Sequence, residues 1–155
     1  MSDNLSDIMR AEQVLPDLQA RTKKAVLEEL SQAALRKAPG LELNTLMAIL
    51  QERERLGSTG IGDGVAIPHG KLDSLDNLVL VFGRSLAGID FDSLDGRPAR
   101  LFFLVLAPAN SAGIHLKALA RISRLLKSQS VRAELMQARN AAQIIEVIKA
   151  QETDN

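Results

Sequence analysis

His69 and His115 are the only histidines in the chain, and there is no cysteine. Thiol nucleophiles, disulfides and iron–sulfur sites are therefore excluded, and the two imidazoles are the first groups to ask for chemistry. His69 stands in Val65-Ala66-Ile67-Pro68-His69-Gly70-Lys71, directly after Gly57-Ser58-Thr59-Gly60-Ile61-Gly62-Asp63-Gly64, a run with four glycines in eight residues. The run predicts a tight loop rich in backbone N–H groups, with the Ser58 and Thr59 hydroxyls beside them. Pro68 fixes its backbone dihedral and lacks an N–H, and Gly70 admits a close neighbour. The imidazole between them is presented at a strand end rather than packed. Local context alone leaves a surface histidine without a role equally open. His115 follows Gly113 at the expected start of a helix near Ile114, where a local hydrogen bond would account for it.

Other chemistries fail on spacing. A P-loop needs G-x-x-x-x-G-K-[ST], but Gly57 to Gly62 is followed by Asp63-Gly64, without the lysine and hydroxyl that hold phosphates and magnesium. A dinucleotide fingerprint runs strand, glycines, helix, whereas the order here is helix, glycines, strand. Zinc takes three or four ligands, often in close pairs, and neither cysteine nor H-x-x-x-H is present. No G-x-S-x-G elbow marks a hydrolase. No metal and no cofactor is expected.

The elements that must position the histidines come next. The 155 residues suit one domain with a sizeable core. Thr22 predicts the N-cap of a helix carrying Val26, Leu27, Leu30, Ala33 and Ala34, ended by Pro39-Gly40. Ahead of it, Ile8, Val14, Leu15 and Leu18 surround Pro16 and suggest a short edge strand or an extended arm. Asn44 is expected to cap a second helix from about Thr45 to Leu56. Val65 to Lys71 contains a buried strand expected to stop at the proline. The apolar runs Leu78–Phe82 and Leu101–Ala107 suit central strands covered on both faces. Ile89-Asp90-Phe91-Asp92 alternates like a half-exposed strand, and Asp95-Gly96 marks a turn. A helix follows with Leu116, Leu119, Ala120, Ile122, Leu125 and Leu126 expected on its buried stripe. A break at residues 128–130 leads to a short helix near Val131–Ala138, then to a last one capped by Asn140. The fold class is α/β, a small mixed sheet sandwiched between helices, spanning residues 5–150 with flexible termini at 1–4 and 151–155.

Composition narrows the partners. Nineteen basic residues balance nineteen acidic ones, so no basic excess points to nucleic acid. Aromatics are 3%, all four of them Phe, too few for base-stacking platforms. No apolar run approaches the roughly 20 residues of a membrane span, so no membrane insertion is expected. The polar start lacks a signal peptide's pattern, and a cytoplasmic location is expected.

Residues 57–71, and a second block at Gly113-Ile114-His115-Leu116-Lys117-Ala118-Leu119-Ala120-Arg121-Ile122-Ser123, together resemble the IIA components of the phosphotransferase system. The resemblance is to the fructose/mannitol-type superfamily, nearest its nitrogen-regulatory (IIA-Ntr) branch, and it covers about residues 5–150. It implies that His69 carries a tele-phosphohistidine intermediate, with a histidine phosphocarrier (HPr-like; NPr in this branch) as donor. It implies that Arg53, sixteen positions before the histidine, and His115 complete the catalytic set. Arg53 would offer a planar fork to phosphoryl oxygens, and Ser58, Thr59 and the amide of Gly60 would bind phosphate. By spacing alone, Arg53 would instead pair with a glutamate such as Glu52. Asp63 stands where many relatives carry an uncharged residue, which would place a negative charge near the anion site.

Three functions follow. The favoured one is a regulatory phosphocarrier, a phosphotransferase component only in the narrow sense of forming a phosphohistidine. Potassium-transport or sensor-kinase proteins are its targets by analogy. The second is a sugar-transport IIA passing phosphate to a separate IIB. The third is an interaction module that no longer carries phosphate. A free-standing chain and the Gly-Ser-Thr-Gly-Ile-Gly wording favour the first. The face around His69 is expected to combine small and apolar side chains with few charges.

Overall fold

The computed structural model describes residues 4–153. After two short 3₁₀ turns the elements are β1 (Val14–Leu15), α1 (Lys23–Lys37), α2 (Leu43–Arg55), β2 (Gly60–Gly62), β3 (Val65–Ala66), β4 (His69–Leu72), β5 (Val79–Ile89), β6 (Ala99–Pro108), α3 (Ala112–Lys127), α4 (Gln129–Gln137) and α5 (Ala141–Thr153). They form one mixed sheet in the order β1-β5-β6-β3-β2, with β4 also paired to β6. The pair β5–β6 is antiparallel, whereas β3 and β4 both run parallel to β6. Among the described residues no helix is long and apolar enough to cross a membrane.

Strand alternation divides the core into two layers. Phe102, Leu104 and Leu106 point to α1 and α2, which contribute Val26, Leu30, Leu46 and Leu50. Leu101, Phe103 and Val105 point to the other face, where Ile122, Leu125, Leu135, Ile144 and Ile148 of α3, α4 and α5 meet them. The four phenylalanines are split between the layers as edge-on pairs, Phe91 with Phe102 and Phe82 with Phe103. Because both faces of β5 and β6 are covered, their sequences read as continuous apolar runs.

Thr22 caps α1 as expected, its hydroxyl accepting from the Ala25 amide at 3.1 Å. Asn140 likewise accepts from Gln143 N at 2.9 Å. Elsewhere the structure corrects the sequence reading. Asn44 is not a cap. Helix α2 starts at Leu43, and Leu41 and Leu46 enter the same core cluster from the N′ and N4 positions, where a hydrophobic staple fixes the entry of the chain. Ile89–Asp92 is not a separate strand; β5 runs on to Ile89, and the chain then leaves the sheet with Asp92 at φ 54°. The stripe of α3 is His115, Ala118, Ile122, Leu125 and Leu126, while Leu116 is 65% exposed. The spacing 115-118-122-125 sets the helix phase; Leu119 packs against the same cluster, whereas Leu116 and Ala120 lie off it and are exposed. Residues 151–153 belong to α5, and the Glu152 carboxylate accepts hydrogen bonds from the amides of Leu5 and Ser6. Residues 1–3 and 154–155 lie outside the described residues.

Candidate active site

The glycine-rich run is only partly a loop. Gly60–Gly62 pairs antiparallel with β3, and Gly62 faces Val65 across the two-residue turn Asp63-Gly64. Both turn residues have positive φ, 57° and 78°, as a tight hairpin requires, and Asp is one of the few side chains that tolerate it. Asp-Gly between apolar stretches was the signal for this hairpin. Its tip lies at the far end of β3 from His69, so Asp63 brings no charge to the histidine, contrary to the sequence expectation.

β3 ends at Ala66, just before the proline, and β4 begins after it at His69. β3 and β4 lie along β6 in one register, Val65 opposite Leu101 and His69 opposite Val105. Proline costs nothing there as an acceptor, since its carbonyl still receives Val105 N at 3.0 Å. The outer strand ends sooner. Its last rung is Ile67 N to Thr59 O at 3.0 Å, after which the chain turns away toward α2. His69 therefore opens β4 on an uncovered sheet edge, half exposed. Gly70 points to the opposite face, where a Cβ would lie 2.8 Å from Ile49 Cγ2. The neighbour this glycine admits is α2.

That close approach brings Arg53, in the last turn of α2, to the histidine. Arg53 Nε donates to His69 Nε2 at 3.3 Å, and its Nη1 donates to the Gly57 carbonyl at 2.9 Å. On the other side of the ring, His69 Nδ1 is 2.8 Å from the Ile67 carbonyl. A carbonyl only accepts, so Nδ1 carries the proton and Nε2 the lone pair. Burial above all, and the Arg53 charge, lower the His69 pKa below 6.5, against the opposing Ile67 carbonyl and Glu54 charge. The free ring is thus a neutral nucleophile with a defined reactive nitrogen.

His115, from the first turn of α3, lies with its ring centroid 5.3 Å from that of His69 and tilted by 60°. It is 5% exposed, and its Nδ1 has no hydrogen-bond partner among the described residues. Burial, and then the charges of His69 and Lys71, lower its pKa. Glu52, the alternative partner for Arg53, bonds instead to Arg55 at 2.9 Å on the surface.

Ser58, Thr59 and Gly60 are engaged in holding the chain. Ser58 Oγ donates to the Phe91 carbonyl at 2.7 Å and accepts from Gly60 N at 3.0 Å. Thr59 is buried, and both its amide and its hydroxyl donate to the Glu54 carboxylate. Glu54 is the residue that the sequence reading missed, since nothing in a surface-looking Glu-Arg-Glu-Arg run marks one carboxylate as buried. Exposed Leu56, Ile114 and Leu116 come from the segments that carry Arg53 and His115.

A mixed sheet between two helical layers thus presents a histidine engaged at both ring nitrogens, with an arginine on its Nε2 and a second histidine beside it. Residues 7–151 match the family described as phosphoenolpyruvate-dependent sugar phosphotransferase system, EIIA 2, and the chain belongs to that family. Within it, the chain is a nitrogen-regulatory, IIA-Ntr-like component. It is 42% identical to the nitrogen regulatory protein of Bradyrhizobium diazoefficiens over 93% of this chain and 94% of that one. It is 35% identical to the fructose-specific EIIABC component of Bacillus subtilis over 93% of this chain, which spans 23% of that protein. The crystal structure of the nitrogen regulatory protein IIA-Ntr from Neisseria meningitidis superposes with a TM-score of 0.87 at 31% identity, covering 93% of this chain and 98% of that one.

Proposed function

We propose that this chain is a phosphocarrier that accepts a phosphoryl group on His69 Nε2 from an HPr-like protein (NPr in the nitrogen branch) and binds regulatory targets according to its phosphorylation state. The observation that carries the reading is the pair of contacts on one imidazole, Nδ1 on the Ile67 carbonyl and Nε2 facing Arg53. In the transfer, the Nε2 lone pair attacks the phosphorus of the donor's N-phosphohistidine. The Nε2–P bond forms as the donor's N–P bond breaks, and the donor ring keeps the bonding pair. Nδ1 retains its proton, so the phosphorylated ring is cationic and the Ile67 carbonyl stabilises it. Arg53 turns its donors from Nε2 to the phosphoryl oxygens, where charge stabilisation dominates catalysis. His115 shares those oxygens from the other side. Ser58, Thr59 and Gly60 act by holding the loop in place.

The test is phosphorylation by phosphoenolpyruvate through the upstream carriers, followed by ³¹P and ¹⁵N NMR. A phosphohistidine at Nε2 of His69 is expected, absent in His69→Ala. Full labelling of His69→Ala removes the assignment, and no labelling of the parent leaves an interaction module. A second reading, transfer onward to a IIB of sugar transport, draws on the 35% identity to the fructose-specific component. Rapid dephosphorylation by a IIB would favour it. State-dependent capture of a potassium-transport or sensor-kinase protein would favour the regulatory reading.

A further inference from the structure

Consecutive residues of α2 hold the site from two directions. Arg53 reaches His69 itself, whereas Glu54 turns inward, its side chain only 6% exposed. The Glu54 carboxylate collects three donors. Thr59 N lies 3.0 Å from Oε1, the Thr59 hydroxyl donates to Oε2, and Lys23 Nζ of α1 lies 3.1 Å from Oε1. Lys23 is fixed in turn, 4.8 Å over the Phe91 ring and 3.5 Å from Asp92 Oδ2. From Thr59 the contacts continue to the histidine. The Thr59 carbonyl accepts from Ile67 N at 3.0 Å, and the Ile67 carbonyl receives His69 Nδ1 at 2.8 Å.

We propose that Glu54 is a positioning residue for phosphoryl transfer, fixing the plane and tautomer of the His69 imidazole through Thr59 and Ile67. The inference rests on His69 being the phosphoryl acceptor. A carboxylate suits the task because Thr59 presents an N–H and an O–H to the same side, and two acceptor oxygens meet both. A glutamine of the same shape would keep one oxygen for Thr59 N and Lys23 but lose the charge, and its NH₂ would force the Thr59 hydroxyl to turn from donor to acceptor. The rung from Thr59 to Ile67 is the last between the outer strand and the strand bearing the histidine, so a slip there reaches the ring two residues on. Misplacement by about 1 Å can cost about a hundredfold in rate.

The experiment compares Glu54→Gln, Thr59→Val and Thr59→Ser in the full chain. Two readouts are taken: ¹⁵N shifts of His69 in the unphosphorylated protein, and kcat and KM for the HPr-like donor. The expected result is that Glu54→Gln and Thr59→Val move His69 from the single Nδ1–H tautomer to a mixture. Both lower kcat by about tenfold to a hundredfold with KM unchanged, and Thr59→Ser behaves as the parent. A parental His69 tautomer in folded Glu54→Gln overturns the proposal, as does loss of kcat in Thr59→Ser equal to that in Thr59→Val. If Glu54→Gln does not fold, the two Thr59 variants decide, because they keep the Lys23–Glu54 pair. If the parent accepts no phosphate, the functional reading fails, while the tautomer measurement still judges Glu54.

Discussion

Arg53 Nε and His69 Nε2 lie 3.3 Å apart, so the hydrogen bond that orients the free imidazole occupies the approach to its reactive nitrogen. In the proposed transfer, an incoming phosphorus must displace that donor. Arg53 is held independently by the Gly57 carbonyl, so it can yield Nε2 without leaving the site. The loss of one bond is offset when the guanidinium meets phosphoryl oxygens, to which charge-assisted bonds are stronger.

Arg53→Lys is therefore expected to slow phosphorylation by about tenfold to a hundredfold, because the ammonium keeps the charge but not the fork. Its melting temperature should stay near the parent's, since Arg53 is only half buried. Initial rates with the HPr-like donor provide the check; a variant at the parental rate would remove Arg53 from the chemistry.

Both imidazoles titrate below 6.5, chiefly through burial. The sign of the consequence is fixed. As pH falls through 6.5 the unfolded chain takes up protons that the folded one resists, so stability declines from there until the folded rings protonate. Transfer should persist below pH 6.5, because Nε2 keeps its lone pair, and then fail. NMR titration of the ring protons and melting curves from pH 7.5 to 5 test this; midpoints at or above 6.5 for both rings would contradict it.

Gly70→Ala places a Cβ 2.8 Å from Ile49 Cγ2. Relief comes from a shift of the Ile49 side chain or of α2 itself, at a cost on the order of 1–3 kcal/mol, and a shift of α2 draws Arg53 from His69. Gly70→Ala should thus be both less stable and slower in transfer. Adding Ile49→Ala, which removes the clashing methyl, should recover part of the rate even though it deletes apolar contact. A double variant no faster than Gly70→Ala would refute the coupling.

Arg84 on β5 is buried with no acidic partner among the described residues, donating to the carbonyls of Pro16, Leu135, Met136 and Ala138. It joins the end of α4 to the segment after β1. Arg84→Met should cost on the order of 3 kcal/mol, because several buried carbonyls lose a charged donor. Urea denaturation measures this, and a loss below about 1 kcal/mol would mean that the carbonyls find other partners.

The sequence disclosed elements whose signals are local. Thr22 and Asn140 announced their helices, and continuous apolar runs announced β5 and β6. It concealed what depends on tertiary phase. Leu116 looks like core and is exposed, while the adjacent His115 is buried, because the sheet selects the face of α3. The proline does end β3, but nothing local reveals that β4 resumes the same register along β6 beyond it. The pairing of His69 with Arg53 came from the family resemblance, since they lie sixteen positions apart across helix, turn and hairpin. Glu54 and Arg84 resemble ordinary surface charges until the chain closes over them.

The contact between Glu152 and the amides of Leu5 and Ser6 brings the two ends of the folded unit to one place. A unit whose entry and exit coincide can be spliced into a longer polypeptide as a pendant loop, with no demand on the geometry of its host. It can equally be cut out without opening its core. The Bacillus subtilis relative carries a matching stretch as 23% of a larger chain, an arrangement that such an end-to-end clasp permits mechanically. Severing the clasp would free the ends to diverge and turn a self-contained cassette into one that depends on its flanks.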